Sequence, residues 1–461
     1  YATDEPSHAA VARTPGPVAP QQKRCRFWPA TAFPDTMSGL SKDAPAARQT
    51  LKSTTESTAM KVLLLTREYP PYVYGGAGVH VEYLSGELAK LMHVEVRSFG
   101  DQDTVVDGVR VKGFPFGNGS FAHVDRKLSG ALDTFEANLE TLSEQVDADI
   151  VHVHTWYAHL GGILAKTLYG IPLVHTVHSL EPLRPWKREQ LGCGYDMSSW
   201  IEKTSLSMAD AVIAVSEGTK QDILEHFDID PAKISVIYNG INVDQYHPTD
   251  ETTALEKYGV DPGKPIVLFV GRITRQKGIV HLVNAIHYIN REAQIVLCAG
   301  AADTREVLHE METAVKRVRQ EGFTNVIWIQ EMVSKAEAIE LYSHATVFCC
   351  PSIYEPFGII NLEAMACRTA VVASAVGGIK EVVIDGVTGF LVPLAQLHVA
   401  PFEPVNPDIF SRDLAAAINK ILDNPELADS MAAAGQKRAR DVFSWTSIAQ
   451  QTKRLYDSLL K

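Results

Sequence analysis

Two successive series of alternating strand-like and helix-like runs constrain this chain more than any other feature. Strand-like runs at residues 61–66, 94–99, 150–154, 172–177, 211–215 and 234–238 are separated by helical stretches such as 78–92, 159–169, 198–208 and 217–226. A second series repeats the rhythm, with strands near 265–271, 294–299, 325–329, 346–350 and 370–374 and helices near 278–291, 303–321 and 335–344. Strand and helix alternating in this way imply right-handed βαβ units and parallel sheets. Two series therefore predict an α/β chain of two doubly wound, Rossmann-like domains. Ligands bind such sheets beyond the C-terminal strand ends, so two domains facing each other would create one cleft.

The expected divisions follow the composition. Residues 1–59 mix Pro, Ala, Ser, Thr and both charge signs without periodicity and read as a disordered tail. Met60 opens the first strand-like run and has the look of a natural start. Residues 60–246 form the first predicted domain. Residues 247–264 are polar, carry Pro248, Pro262 and Gly263, and read as a linker. Residues 265–443 form the second domain, and 444–461 a final helix.

Bulk properties exclude several function classes. A net charge of −12 argues against broad nucleic-acid or anionic-membrane binding, although a few positioned cations suffice for a small anionic ligand. No apolar run approaches the roughly 18 residues that a spanning helix needs. The six cysteines, Cys25, Cys193, Cys298, Cys349, Cys350 and Cys367, show neither C-x-x-C nor a disulfide framework. Thiols buried in apolar runs suit a reducing compartment, so the expectation is a soluble cytoplasmic protein.

The chemistry-bearing stretches sit where strands give way to helices. Tyr354 to Cys367 reads Y-E-P-F-G-I-I-N-L-E-A-M-A-C. Its second half carries a helical apolar stripe, Ile359, Leu362 and Ala366, preceded by Gly358. Glu355 then lies just outside a helix start, where free N–H groups and a positive dipole end suit the anionic or hydroxyl-rich end of a ligand. Glu363 follows within about two turns, close enough to hold another part of it. In Val270 to Gly278, Arg272 and Lys277 are spaced so that one turn aims both at a diphosphate, Arg as a bidentate fork and Lys as a point charge. Gly75 and Gly76, after the first strand, let backbone N–H groups approach a phosphate, as do Gly377 and Gly378 after strand 370–374. The dinucleotide fingerprint fails after Gly78, where Val81 stands in place of the third glycine.

Other candidates read more plainly. His152 and His154 end a strand and share a face, yet no third and fourth ligand at metal-like spacing is evident, so neither metal nor cofactor is expected. His178 follows the next strand and stands at the cleft edge. Asn239-Gly240-Ile241 reads as a turn, as does Asp228-Ile229-Asp230 before Pro231.

Taken in order, these motifs resemble the retaining nucleotide-sugar glycosyltransferases of the GT-B fold, in which two glutamates stand eight residues apart. The opening T-R-E-Y-P-P-Y-V-Y-G-G-A-G-V-H, Thr66 to His80, is most similar to the actinobacterial-type ADP-glucose glycogen synthase and maltose 1-phosphate synthase subgroup. It departs from the Lys-x-Gly-Gly form of the larger glycogen synthases, having Val73 in the lysine place. The resemblance implies catalytic roles for His178, Glu355, Arg272 and Lys277. It also implies donor contacts from Gly75, Gly76, Arg272, Lys277, Glu355, Phe357, Gly358, Ile359, Glu363, Gly377 and Gly378, with Glu363 on the nucleotide ribose and His178 on the donor sugar. The final helix would pack back onto the first domain. Expected partners are a nucleotide-sugar donor, ADP-glucose, and a glucan or sugar-phosphate acceptor. UDP-glucose and GDP-mannose stay open as donors, as do a nucleotide-sugar epimerase, a hinged sugar-binding protein and a homo-oligomeric state.

Overall fold

The computed structural model describes residues 59–398 and 402–461; the expected tail falls, but for Ala59, outside them, as does Cys25. Two parallel sheets carry the fold. The first holds β1 (Lys61–Leu65), β2 (His93–Phe99), β3 (Asp103–Val106), β4 (Val109–Phe114), β5 (Ile150–His154), β6 (Leu173–Val177), β7 (Ala211–Ala214) and β8 (Ile234–Val236). Their order is β3-β4-β2-β1-β5-β6-β7-β8, and only β3 runs antiparallel, against β4. The second sheet holds β9 (Ile266–Val270), β10 (Gln294–Cys298), β11 (Val326–Ile329), β12 (Val347–Cys350), β13 (Ala370–Ser374) and β14 (Gly389–Val392), in the order β11-β10-β9-β12-β13-β14.

The central strands are continuous β-branched and apolar runs because both faces are covered by helices. β5 is buried along its whole length, and so is β13. The order of each sheet reverses once, between β1 and β5 and between β9 and β12. Loops leaving the strands on either side of a reversal diverge and open a crevice.

Three features depart from the sequence reading. The hairpin β3–β4 goes unrecognised in the sequence because β3 is exposed at every position and so lacks an apolar signature. The stretch read as a linker contains a helix, Thr253–Tyr258, whose Ala254 and Leu255 are buried, Leu255 in the core of the second domain. Two long helices, Pro407–Leu422 and Pro425–Val442, each opened by an Asn cap and a proline, pack over the second sheet.

The final helix, Trp445–Leu459, lies on the first sheet's side of the molecule. It packs along the helix Gly76–Ala89, and Tyr456, fully buried, hydrogen-bonds through its hydroxyl with His152 Nδ1 at 2.6 Å. The chain reaches it through a bonded crossing, where Ile241 N–H donates to Phe443 O at 2.8 Å. Gly240 sits under Trp445 so closely that a Cβ there would stand 2.5 Å from the indole. Gly240→Ala must push Trp445 off the sheet, and an overpacking cost of about 1–3 kcal/mol is expected. Urea unfolding of the variant measures it, and an unchanged midpoint would show that Trp445 yields freely.

Beneath β5 and β6, His159 and His175 pack edge to face with ring centroids 4.1 Å apart. Both His159 nitrogens and His175 Nδ1 are buried without a hydrogen-bond partner. Burial lowers both basicities, that of His175 to about 3. The unfolded chain, with ordinary histidines, therefore binds more protons than the folded one below pH 6.5, and stability is lost as the pH falls from there. Chemical denaturation should show a steep decline between pH 6.5 and 4, reduced in His175→Gln; a wild-type plateau down to pH 4 would contradict the buried neutral pair.

Candidate active site

A cavity of about 390 Å³ opens between the strand ends of the two sheets. Its second-domain wall begins where β9 stops. Arg272 leaves the strand end and donates from Nη1 to Asp303 Oδ1 at 2.6 Å and to Tyr74 Oη at 3.0 Å, with its guanidinium 4.7 Å from the Tyr74 ring centre. Tyr74 belongs to the first domain, so this contact spans the cleft. Five residues on, Lys277 Nζ donates to Glu355 Oε2 at 2.6 Å. Burial alone would depress the Lys277 ammonium, but Glu355, helped by Cys350, outweighs it and holds the group above its ordinary value. Gly278 closes the turn at φ 60°, where a Cβ would strike Pro351 O at 2.1 Å.

Glu355 is itself oriented by Ser352 Oγ, which donates at 3.2 Å. Phe357, Gly358 and Ile359 continue the wall to the start of the helix Ile359–Ala366, with Gly358 at φ 95°. The loop is braced from behind by the glycine pair. Gly378 N–H donates to Glu355 O at 3.0 Å, and a Cβ on Gly377 would lie 2.1 Å from that same carbonyl. These glycines are thus needed for close backbone approach, and the Gly378 amide is occupied rather than offered to the cavity. Glu363 also stands off the cavity wall, on the second turn of the helix; its carboxyl is pushed upward by burial and accepts from Tyr342 Oη at 3.0 Å.

On the first-domain side, Gly75 and Gly76 line the cavity, but the Tyr74 and Gly75 amides already donate to Glu68 Oε2, at 2.9 and 2.8 Å. Glu68 therefore shapes the glycine loop. His178 also lines the cavity and is bonded to His154, Nε2 to Nδ1, at 3.1 Å. Burial, reinforced by neighbouring imidazoles, drives the basicity of both far down, so they are neutral at pH 7. Thr155 follows at φ 63°, a backbone strain of the kind stored at functional sites, with its hydroxyl buried and unpartnered.

Farther along that wall stand three cations. Among the described residues the Arg67 guanidinium meets only aromatic rings, Tyr157 at 4.2 Å and Phe116 at 5.6 Å. Arg184 bonds Ser179 Oγ through Nη1 at 2.9 Å and leaves a buried Nε without a partner among the described residues. Lys187 lies 3.7 Å from Glu181 and 5.8 Å from the Tyr157 ring centre. Behind them Glu202 is buried beside Glu181, and burial followed by the neighbouring carboxylate pushes its proton affinity well up.

Several of these residues escape sequence reasoning. Asn239, read there as a turn, is buried on the cavity wall with Oδ1 2.7 Å from His80 Nδ1. Asp303 and Arg184 lie in no recognisable motif, and Arg67, though inside the Thr66 to His80 stretch, was given no role there. A strand end ahead of each was the one available signal. Asp230 does behave as a turn residue, accepting from Ala232 N–H at 2.9 Å.

Residues 74–245 match the family described as Glycosyltransferase Family 4, and residues 250–399 match Glycosyl transferases group 1. The chain is 47% identical over 404 residues to alpha-maltose-1-phosphate synthase of Mycolicibacterium smegmatis, covering 86% of this chain and 99% of that protein. It is 29% identical over 424 residues to a glycogen synthase of Mycobacterium tuberculosis, covering 86% and 94%. Among solved structures it resembles sucrose-phosphate synthase from Thermosynechococcus elongatus, with a TM-score of 0.71 and 26% identity over 87% of this chain and 99% of that one. Two facing Rossmann-like domains and these matches agree: the chain belongs to the GT-B glycosyltransferases and is a hexosyltransferase of the subgroup that holds the mycobacterial maltose 1-phosphate and glycogen synthases.

Proposed function

We propose that this enzyme transfers glucose from ADP-glucose to glucose 1-phosphate, giving maltose 1-phosphate and ADP with retention at the anomeric carbon. The observation that carries the acceptor is the trio Arg67, Arg184 and Lys187 on the first-domain wall, Arg67 and Lys187 both beside Tyr157. A neutral glucan end needs no such charge, whereas a dianionic phosphate does. The high identity to alpha-maltose-1-phosphate synthases supports the same choice.

The donor reading rests on the opposite wall. Arg272 and Lys277 hold the leaving diphosphate, with Gly76 and the start of the helix Ile359–Ala366 supplying N–H groups toward it. Glu355 acts on the donor sugar as an orienting group, its Oε2 held in place by Lys277 and Ser352. His178 offers the sugar a neutral imidazole. Glu363, Gly377 and Gly378 support the donor-binding loop and helix from behind the wall. With no carboxylate placed to attack, the leaving phosphate receives the acceptor's hydroxyl proton on the same face as the new bond.

A second reading keeps an α-1,4-glucan as acceptor, and one observation favours it: Trp156 and Tyr157 stack at 4.1 Å on the cavity wall, a surface suited to sugar rings. Nucleoside diphosphate release from ADP-glucose, UDP-glucose and GDP-mannose, each with glucose 1-phosphate, with glycogen and with no acceptor, separates the possibilities. Release from ADP-glucose that requires glucose 1-phosphate is expected. A requirement for glycogen would favour the second reading, and acceptor-independent release an epimerase.

Two substitution sets refine the assignment. Arg272→Ala and Lys277→Ala should each lower kcat by about 10²–10³-fold, the usual loss for one preorganised contact to developing charge; near-full turnover in both would refute the donor site. Arg67→Ala and Lys187→Ala should lower kcat/KM for glucose 1-phosphate by about 10–100-fold, as expected for losing one charge-assisted bond. An equal loss in acceptor-independent donor hydrolysis would remove the acceptor-phosphate role.

A further inference from the structure

Three imidazoles from distant parts of the sequence converge beside the cavity. His80 comes from the helix Gly76–Ala89, His154 from the end of β5, and His178 from just beyond β6. One nitrogen of each lies within 4.8 Å of the other two, and the His154 Nδ1 to His178 Nε2 distance is 3.1 Å. Zinc bonds of 2.0–2.1 Å in tetrahedral geometry put ligand nitrogens roughly 3.3 Å apart, so one pair is already at metal spacing and His80 needs a small ring shift.

A second observation points the same way. Asn239 Oδ1 is an acceptor only, so the His80 Nδ1 facing it at 2.7 Å carries the proton and Nε2 carries the lone pair. Among the described residues that buried Nε2 has no partner, and the same holds for His154 Nε2. A histidine whose outer nitrogen is fixed by a carbonyl oxygen while the inner one stays bare is the arrangement found around metal ions. Whichever ring carries the proton shared between His154 Nδ1 and His178 Nε2, moving it to that ring's other nitrogen frees both nitrogens of the close pair without loss of a proton to solvent.

We propose that His80, His154 and His178 form a three-histidine site for a zinc-class divalent cation, with its fourth position open to the cleft. An ion held there ties up the His178 nitrogen that would meet the donor sugar, so occupancy inhibits transfer. The inhibition, unlike the binding, rests on the role proposed above for His178.

The test uses the full chain, freed of metal by chelation. Titration with zinc chloride, followed calorimetrically, should show one tight site, and cobalt substitution should give the intense visible bands of four-coordinate cobalt. Asn239→Ala should weaken zinc about 10–100-fold, the usual effect of removing an outer-shell partner, and His80→Gln should abolish the cobalt bands. Absence of a stoichiometric site in the wild-type chain, or a site unchanged in both variants, overturns the proposal without reliance on any variant's activity. Zinc that binds with these signatures and inhibits reversibly supports both parts. Zinc that binds so but leaves transfer unaffected upholds the site and refutes the role of His178 on the donor sugar.

Discussion

Parallel pairing is the constraint on which the rest of this molecule depends. A parallel ladder makes every strand of a sheet end on the same side, so whatever follows β1, β5 and β6, or β9 and β12, must emerge on one rim. The two rims face one cavity, and Arg272 reaching Tyr74 shows how closely they meet. Residues that never approach one another in sequence become neighbours simply because each is the first beyond a strand.

The two walls manage charge differently. On the second-domain side each cation has its own carboxylate, Asp303 for Arg272 and Glu355 for Lys277, within a setting where an unpaired charge would be costly. On the other side Arg67 leans on aromatic faces instead, an arrangement that steadies a guanidinium while leaving its N–H groups unused. Between the walls lies a patch that is polar yet uncharged, the histidines that burial keeps neutral.

How much of this was legible in the sequence follows from what burial does to residue choice. β5 and β13 are buried along their whole length because helices cover both faces, and apart from His152, His154 and Ser374 their residues are apolar, so their runs stood out. β3 lies at an edge with all residues exposed and carried no such mark. Arg272, Lys277 and Glu355 were readable because short turns fix their position relative to a strand end. Asp303 and Asn239 were not, since their partners lie 31 and 159 residues away and only the folded chain brings them together. The glycine pair Gly377–Gly378 was visible, but its reason was not: backbone packed against Glu355 leaves no room for a Cβ.

The chain passes between the domains twice, after β8 and again before Trp445, and the two passages are bonded to each other from Ile241 to Phe443. A single connecting strand would let the domains swivel freely. Two strands fastened side by side behave as a strap that bends readily across its width and resists torsion. The relative placement of the two walls therefore rests on this bonded crossing as well as on the contacts across the cleft.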